Sequence, residues 1–313
     1  MQSSEPTKSI ALLIPCFNGL QHLPALLEQV EKADDKFDEI IVYDDASTEP
    51  LPFKPKEKFP HVQFHQGEVN KGSGFARNRL IELSTSNYLH FHDIDDTYFP
   101  SNFLSGLKPH LKPNTVVFSS WEIHWPDDQK PIRKFDYPNF NSVEDFCKFF
   151  IRGHIHLNAA IYPRDIALKT EFNEEFRVMQ DLVFNIDLAC NGAKFLHNAD
   201  VVTRHTKNEL STLGKIQSDK FLDYRVKYCQ YCLQKLPKHL SPLMRDSTLH
   251  FAWNAYLQNS DRQANALIDA AKQSGPLQYT QFGKVVSSLA PLIGLKNALR
   301  IRKFWVHLAL RAK

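Results

Sequence analysis

A chain of 313 residues with 42% hydrophobic content has the make-up of an ordinary globular protein, long enough for one large domain with an appendage or for two domains. Its formal net charge of +3 is too small to point to a nucleic-acid partner, although the charge is uneven: no Asp or Glu follows Asp269, so the tail is basic. The five cysteines, Cys16, Cys147, Cys190, Cys229 and Cys232, are odd in number and lack the spacing of a disulfide framework, which fits reduced thiols.

The start, Met1 to Pro6, is polar, and the first apolar run, Ile10 to Ile14, stops at Pro15, too short for the core of a signal peptide. A cytoplasmic protein is the expectation. Strand and helix patterns then alternate. Ile10 to Ile14, Glu39 to Tyr43, Val62 to His65 and Tyr88 to His92 read as strands, and Leu23 to Ala33 and Gly74 to Leu83 as helices. That alternation predicts a parallel sheet covered by helices. Val116 to Trp121 and Ala159 to Tyr162 read as further strands, with a helix from Val143 to Ile151 between them. From about Phe221 the pattern is helical, with breaks near Pro237 to Pro242 and at Gly275-Pro276. Cys229 and Cys232 form a C-x-x-C pair inside this helical run, without a second pair to complete a zinc site, and read as packing.

The chemistry is concentrated at strand ends. After the first strand comes Pro15-Cys16-Phe17-Asn18, where Pro15 is expected to break the ladder and the Phe17 ring could hold a planar base. After the second comes Asp44-Asp45-Ala46-Ser47-Thr48, whose carboxylates can accept from a base N–H or a ribose hydroxyl. Asn70-Lys71-Gly72-Ser73-Gly74-Phe75-Ala76-Arg77-Asn78 follows. Its glycines allow close backbone approach, and Arg77 is placed to reach a phosphate or to orient a carboxylate. It fits neither the P-loop nor the usual dinucleotide fingerprint. Each of these segments alone is equally ordinary turn or capping chemistry.

The fourth strand ends in Asp93-Ile94-Asp95-Asp96. In open α/β sheets ligands bind beyond the carboxyl ends of strands, where a close acidic cluster needs a cation. Continued strand geometry would point Asp93 and Asp95 the same way and Asp96 the other. Magnesium or manganese is commonly held by one or two such carboxylates while substrate phosphates complete the shell. A solvated turn or a helix cap formed by Asp96-Thr97 is the plain alternative.

Taken in order, these motifs closely resemble those of the inverting GT-A glycosyltransferases of the large second family, over roughly residues 8 to 215. The resemblance implies a GT-A fold: a Rossmann-like mixed α/β sheet with helices on both faces, here followed by a helical region over residues 216–313. It implies donor-nucleotide contacts from Pro15, Phe17, Asn18, Asp45, Lys71, Gly72, Arg77 and Asp93. It implies Mn2+ or Mg2+ at Asp93 and Asp95, with His205 of the Arg204-His205 strand end as a further metal ligand or diphosphate donor. In the segment Glu174 to Phe184, Gln180-Asp181 occupies the place of the family's usual Glu-Asp, so Asp181 is the expected general base. The implied reaction moves a sugar from a nucleotide-diphosphate donor, UDP first, to a hydroxyl of a glycan or glycolipid. His154 and His156 lie where acceptor-side residues are expected.

Two rival readings remain. Asp93-Ile94-Asp95-Asp96-Thr97 also satisfies the Asp-x-Asp-x-Thr nucleophile motif of haloacid-dehalogenase-like phosphatases, with Asp93 as nucleophile. A catalytically inactive sugar-nucleotide-binding scaffold is the second. Finally, Leu289 to Leu310 carries Leu292, Leu295, Leu299, Val306 and Leu310 at helical spacing, interrupted by Lys296, Arg300, Arg302 and Lys303. Those charges exclude an ordinary membrane span. A basic helix with Phe304 and Trp305 suits either the inner face of an anionic membrane or packing against protein.

Overall fold

The seven residues of β1 (Ile10–Cys16) are buried along their whole length, as a strand covered on both faces must be. The computed structural model describes residues 8–49, 55–96, 102–124, 133–138, 140, 143–150, 155–206, 218–279 and 282–311. In it β1 pairs in parallel with β2 (Glu39–Asp44) on one side and β4 (Tyr88–Phe91) on the other, and β2 pairs in parallel with β3 (Val62–Gln66). The expected parallel arrangement of the first half is therefore present. α1 (Leu23–Lys32) presents Leu23, Leu26, Leu27 and Val30 on one face, packed with Leu12, Ile14, Ile40 and Val42. Each such side chain contributes about 1.5–3 kcal/mol when fully buried. α2 (Pro55–Lys58) precedes β3, and α3 (Ser73–Leu83) precedes β4.

Beyond β4 the sheet becomes mixed. β7 (Ala160–Pro163) runs antiparallel between β4 and β5 (Thr115–His124), β6 (Arg133–Phe135) is antiparallel to β5, and β8 (Lys194–Thr206) is parallel to it. The order is β3-β2-β1-β4-β7-β5-β6, with β8 also on β5. Its register shifts between Ser119 and Ser120, the partner moving from Asn198 to Val202. β6 and the full length of β8 went unread in the sequence.

Alternation along β4 shows the two covered faces. Tyr88 and His90 pack toward Phe103 of α4 (Phe103–Leu107), while on the other face Phe91 meets Phe172, which precedes a helix, and Phe184, which lies in it. α5 (Val143–Phe150), α6 (Arg164–Thr170) and α7 (Gln180–Cys190), which carries Phe184, complete this part.

The chain divides into two compact units, Met1–Gly214 and Lys215–Lys313. The described residues of the second are helical: α8 (Ser218–Lys235), α9 (Ser241–Leu257), α10 (Asp261–Gln273), α11 (Gly283–Ile293) and α12 (Leu295–Arg311). Cys229 and Cys232 are buried, and burial pushes the Cys229 thiol up to about 12, consistent with packing. The single helical stripe expected over Leu289 to Leu310 is corrected: Gly294, at φ +80, separates two helices, Leu295 and Leu299 are buried, and Leu292 is exposed. Among the described residues no helix is long and apolar enough to cross a membrane.

Candidate active site

The chain lays β1, then β2 and β3 to one side, then β4 to the other, so the carboxyl ends of β1 and β4 flank a topological switch point. The predicted motifs gather there. Pro15 does not break the ladder as expected: it pairs with Tyr43 of β2. By strand parity its nitrogen turns toward the β4 side, beyond the last β1–β4 pair, Leu13 with Phe91, where no donor is needed. Phe17, two residues further on, is 48% exposed. Asn18, at φ +50, accepts from the Thr48 backbone N–H at 2.9 Å and hydroxyl at 3.1 Å, and its own N–H donates to Ser47 Oγ at 2.8 Å. Asp44 accepts the Ser47 N–H at 3.0 Å and the Gln66 amide at 3.0 Å. The turns after β1 and β2 are thereby fixed to one another.

Asp45 is almost completely buried, and its carboxylate accepts the Lys71 N–H at 3.1 Å and the Gly72 N–H at 2.6 Å. The structure thus engages the expected base-binding carboxylate with backbone, fastening residues 71–72 to the end of β2. Gly72 has φ +100, a conformation other residues adopt only with strain. The Lys71 ammonium folds over the Phe75 ring at 4.4 Å.

β4 ends at Phe91, and the acidic segment is a turn, with the Asp96 N–H donating to Asp93 O. Strand geometry does not persist, so the expected shared orientation of Asp93 and Asp95 has no strand behind it. Ile94 is buried with Leu12 and Ile14, whereas Asp95 is exposed. Asn158 clamps the turn: its Oδ1 accepts the Asp93 N–H at 3.2 Å and its Nδ2 donates to Asp96.

Arg77 connects this turn to α7. Its guanidinium donates to Asp93 Oδ1 at 2.7 Å and to Gln180 Oε1 at 2.8 Å, and the latter oxygen also accepts from Ser73 Oγ at 2.9 Å. Burial pushes the Asp93 carboxyl up, but Arg77, with His156 and His92, outweighs it and holds the group below the usual carboxylate range. Asp181, half-buried in the first turn of α7, follows Gln180 directly. Asn78 of α3 holds the approach to α7, exchanging hydrogen bonds with the Phe172 backbone at 2.7 and 3.0 Å and donating to Glu174 at 3.1 Å.

Sequence reading gave no role to Asn158, Ser73 or Gln180. The only signal was that α3 carries Arg77 and Asn78 at buried positions, which polar side chains occupy when partnered. His205 lies on β8 opposite Ile123, but its side chain, like that of Arg204, falls outside the described residues, as do His154 and Thr97. Among the described residues, no three His, Cys, Asp or Glu side chains form a ready-made cation cage.

The family model described as "Glycosyl transferase family 2" matches residues 11–169, just over half of the chain. The chain belongs to glycosyl transferase family 2. The matched residues include every predicted donor-side position and end before Asp181. Sequence relatives include the uncharacterized glycosyltransferase YibD of Escherichia coli, 33% identical over 101 residues, 31% of this chain and 29% of that protein. An uncharacterized glycosyltransferase of Haemophilus influenzae is 31% identical over 91 residues, 29% of this chain and 31% of that one. These alignments span less than a third of either relative. Among solved structures, S. aureus TarS 1–349 in complex with UDP-GlcNAc aligns with a TM-score of 0.63 at 18% identity, covering 95% of this chain and 89% of that chain. The mannosyltransferase PcManGT of Pyrobaculum calidifontis, in complex with GDP-Man and Mn2+, gives 0.53 at 16% identity, covering 95% and 87%. The fold of this family 2 member is GT-A.

Proposed function

We propose that the protein transfers a glycosyl group from a UDP-sugar to a hydroxyl of a glycan or glycolipid acceptor, with inversion at the anomeric carbon. The observation that carries this reading is the Arg77 bridge, which ties Asp93 at the donor end of β4 to Gln180, the neighbour of Asp181. Donor and acceptor chemistry would then share one rigid support, as near-attack positioning requires.

The exposed Phe17 ring offers a face for the base, beside the turns that Asp44, Asp45 and Asn18 hold in place. Asp181 removes the acceptor proton as the acceptor oxygen bonds to the anomeric carbon and the bond to the diphosphate breaks, its electron pair leaving with the diphosphate. A single displacement of this kind inverts the configuration. Hard divalent cations take one or two carboxylates and fill the rest of their shell with phosphates and water, so exposed Asp95 and the neighbouring Asp93 are the residues that would hold Mg2+ or Mn2+, with His205 a further ligand on the strength of the sequence motif alone. Such an ion would supply charge neutralisation at the departing diphosphate. The TarS complex with UDP-GlcNAc favours UDP as the first nucleotide to test, and the PcManGT complex favours Mn2+ as the first ion. Five free cysteines suit a reducing cytoplasm.

Family membership displaces the phosphatase reading, and the Arg77 ion pair is a poor setting for Asp93 as a nucleophile. The test is thermal stabilisation by UDP, GDP, dTDP and CMP with and without Mn2+, followed by proton NMR of the transfer product. Mn2+-dependent stabilisation by UDP, lost in Asp95→Ala, and a product of inverted configuration are expected. No response to any nucleotide would favour the inactive scaffold, and a retained configuration would remove the single-displacement mechanism.

A further inference from the structure

The two compact units carry opposite charge. Lys215–Lys313 contains 16 Lys and Arg against 5 Asp and Glu, a formal +11, while the preceding 214 residues contain 22 against 30. The net +3 of the whole chain conceals this separation. The positive excess is steepest at the end: after Asp269 there are eight Lys and Arg and no acid.

Exposed apolar side chains concentrate in the same place. Of the nine large hydrophobic residues exposed among those described, six lie between Val285 and Trp305. α11 buries Val286 and Ala290 while leaving Val285 and Leu292 exposed, two positions seven apart and so on one helical face. α12 buries Leu295, Ala298 and Leu299, while Ile301, Phe304 and Trp305, at i, i+3 and i+4, form a second exposed stripe, 38%, 62% and 59% exposed. Only Gly294 separates the helices. Asp261 and Asp269 of α10 pair with Lys296, Arg300 and Lys303, and the Arg302 guanidinium lies over the Trp253 ring at 4.6 Å, so α12 is held in place and the attraction to an anionic surface rests on the +11 of the whole unit.

We propose that the α11–α12 pair docks on an anionic lipid bilayer, its exposed Phe, Trp and Leu side chains entering the headgroup boundary while the net positive charge of the unit draws it to the surface. Basic residues near an anionic surface contribute about 1 kcal/mol each, roughly fivefold in partitioning, and aromatic rings favour the interface. A nucleic acid would match the charge but leave the Leu292 and Ile301 surface unexplained. The proposal is independent of the transfer reaction, and its test does not read activity.

The full chain is sedimented with phosphatidylcholine vesicles and with vesicles also containing phosphatidylglycerol. Binding to the anionic vesicles only, weakened by salt, is expected. Phe304→Ser/Trp305→Ser should lower partitioning by about tenfold or more with the melting temperature unchanged. Leu292→Ser on α11 tests the second stripe in a separately folded variant. Absence of binding to anionic vesicles, or equal binding by wild type and both variants, would overturn the proposal. A dimer in solution that these substitutions dissociate would also overturn it, making the face a self-association surface. Nucleotide stabilisation of the same samples reports separately on the donor site.

Discussion

Arg77 and Gln180 are joined by a 2.8 Å hydrogen bond across 103 residues of sequence, and the same guanidinium meets Asp93 at 2.7 Å. A planar fork can hold two acceptors at once, which the point charge of an ammonium does less well. Arg77→Lys is therefore expected to keep the Asp93 ion pair and lose the link to Gln180. Steady-state kinetics should show kcat falling about tenfold or more with a smaller change in donor KM, since misplacing a reacting group is costly in rate. An unchanged kcat would show that the bridge is structural only.

Gly72 gives the second prediction. It donates to Asp45 from a backbone at φ +100, and a Cβ there would lie 3.7 Å from the Arg177 guanidinium, ordinary contact distance. Space is available, so the penalty of Gly72→Ala is conformational: φ +100 with ψ 164 is a region populated essentially by glycine alone, at a cost of about 1–3 kcal/mol for another residue. Urea unfolding should show that loss, accompanied by weaker nucleotide binding because the Asp45 clamp is disturbed. Gly74→Ala, without the positive φ and with neighbours no nearer than 3.6 Å, should be nearly neutral in stability by the same assay.

These two residues show what the chain discloses by itself. The first four strands and the helices at α1 and α3 were legible because apolar runs bounded by Gly, Pro and Asp encode them locally. The strand-end motifs were legible as an ordered set. The partners were not. Asn158 and Gln180 reach the site through tertiary packing, and nothing in their neighbourhood announces that one clamps Asp93 and the other receives Arg77. Asp45 was legible as a strand-end carboxylate, but only the fold shows that residues 71–72 occupy it. β6 is three residues long, and β8 is interrupted by a register shift, so neither offers a clean period.

His90 sets a pH dependence. It is fully buried on β4, its Nδ1 donates to Ala160 O at 2.8 Å, and Phe37, Phe103 and His92 pack around it. Burial, then the neighbouring His92, lowers its pKa to about 3, against the backbone bond. The unfolded chain takes up this proton near pH 6.5 and the folded chain does not, so the contribution is complete above about pH 6.5. It falls as the pH drops toward about 3, by up to about 1.4 kcal/mol per pH unit. Asp93, held below the usual carboxylate range by Arg77 despite its burial, adds its own loss only at lower pH, below about 4. Urea midpoints at several pH values between 7 and 4 should decline in wild type and decline less in His90→Asn. Equal slopes would show that His90 is not the group responsible.

Asp181 offers the sharpest separation of binding from chemistry. It lies in the first turn of α7, one residue past the oxygen that Arg77 and Ser73 share, and its backbone carbonyl accepts from Asn185 at 2.8 Å. Its side chain can therefore be neutralised without removing the helix contacts that position it. Asp181→Asn is expected to lower kcat by about 10² to 10⁴, the usual range for a general base, while nucleotide affinity and melting temperature stay close to wild type. Equilibrium binding by calorimetry, measured beside transfer rates over a range of pH, checks both halves. If the variant keeps a substantial rate but loses nucleotide binding, Asp181 belongs to the donor site and the base must be sought among the acceptor-side residues near His156.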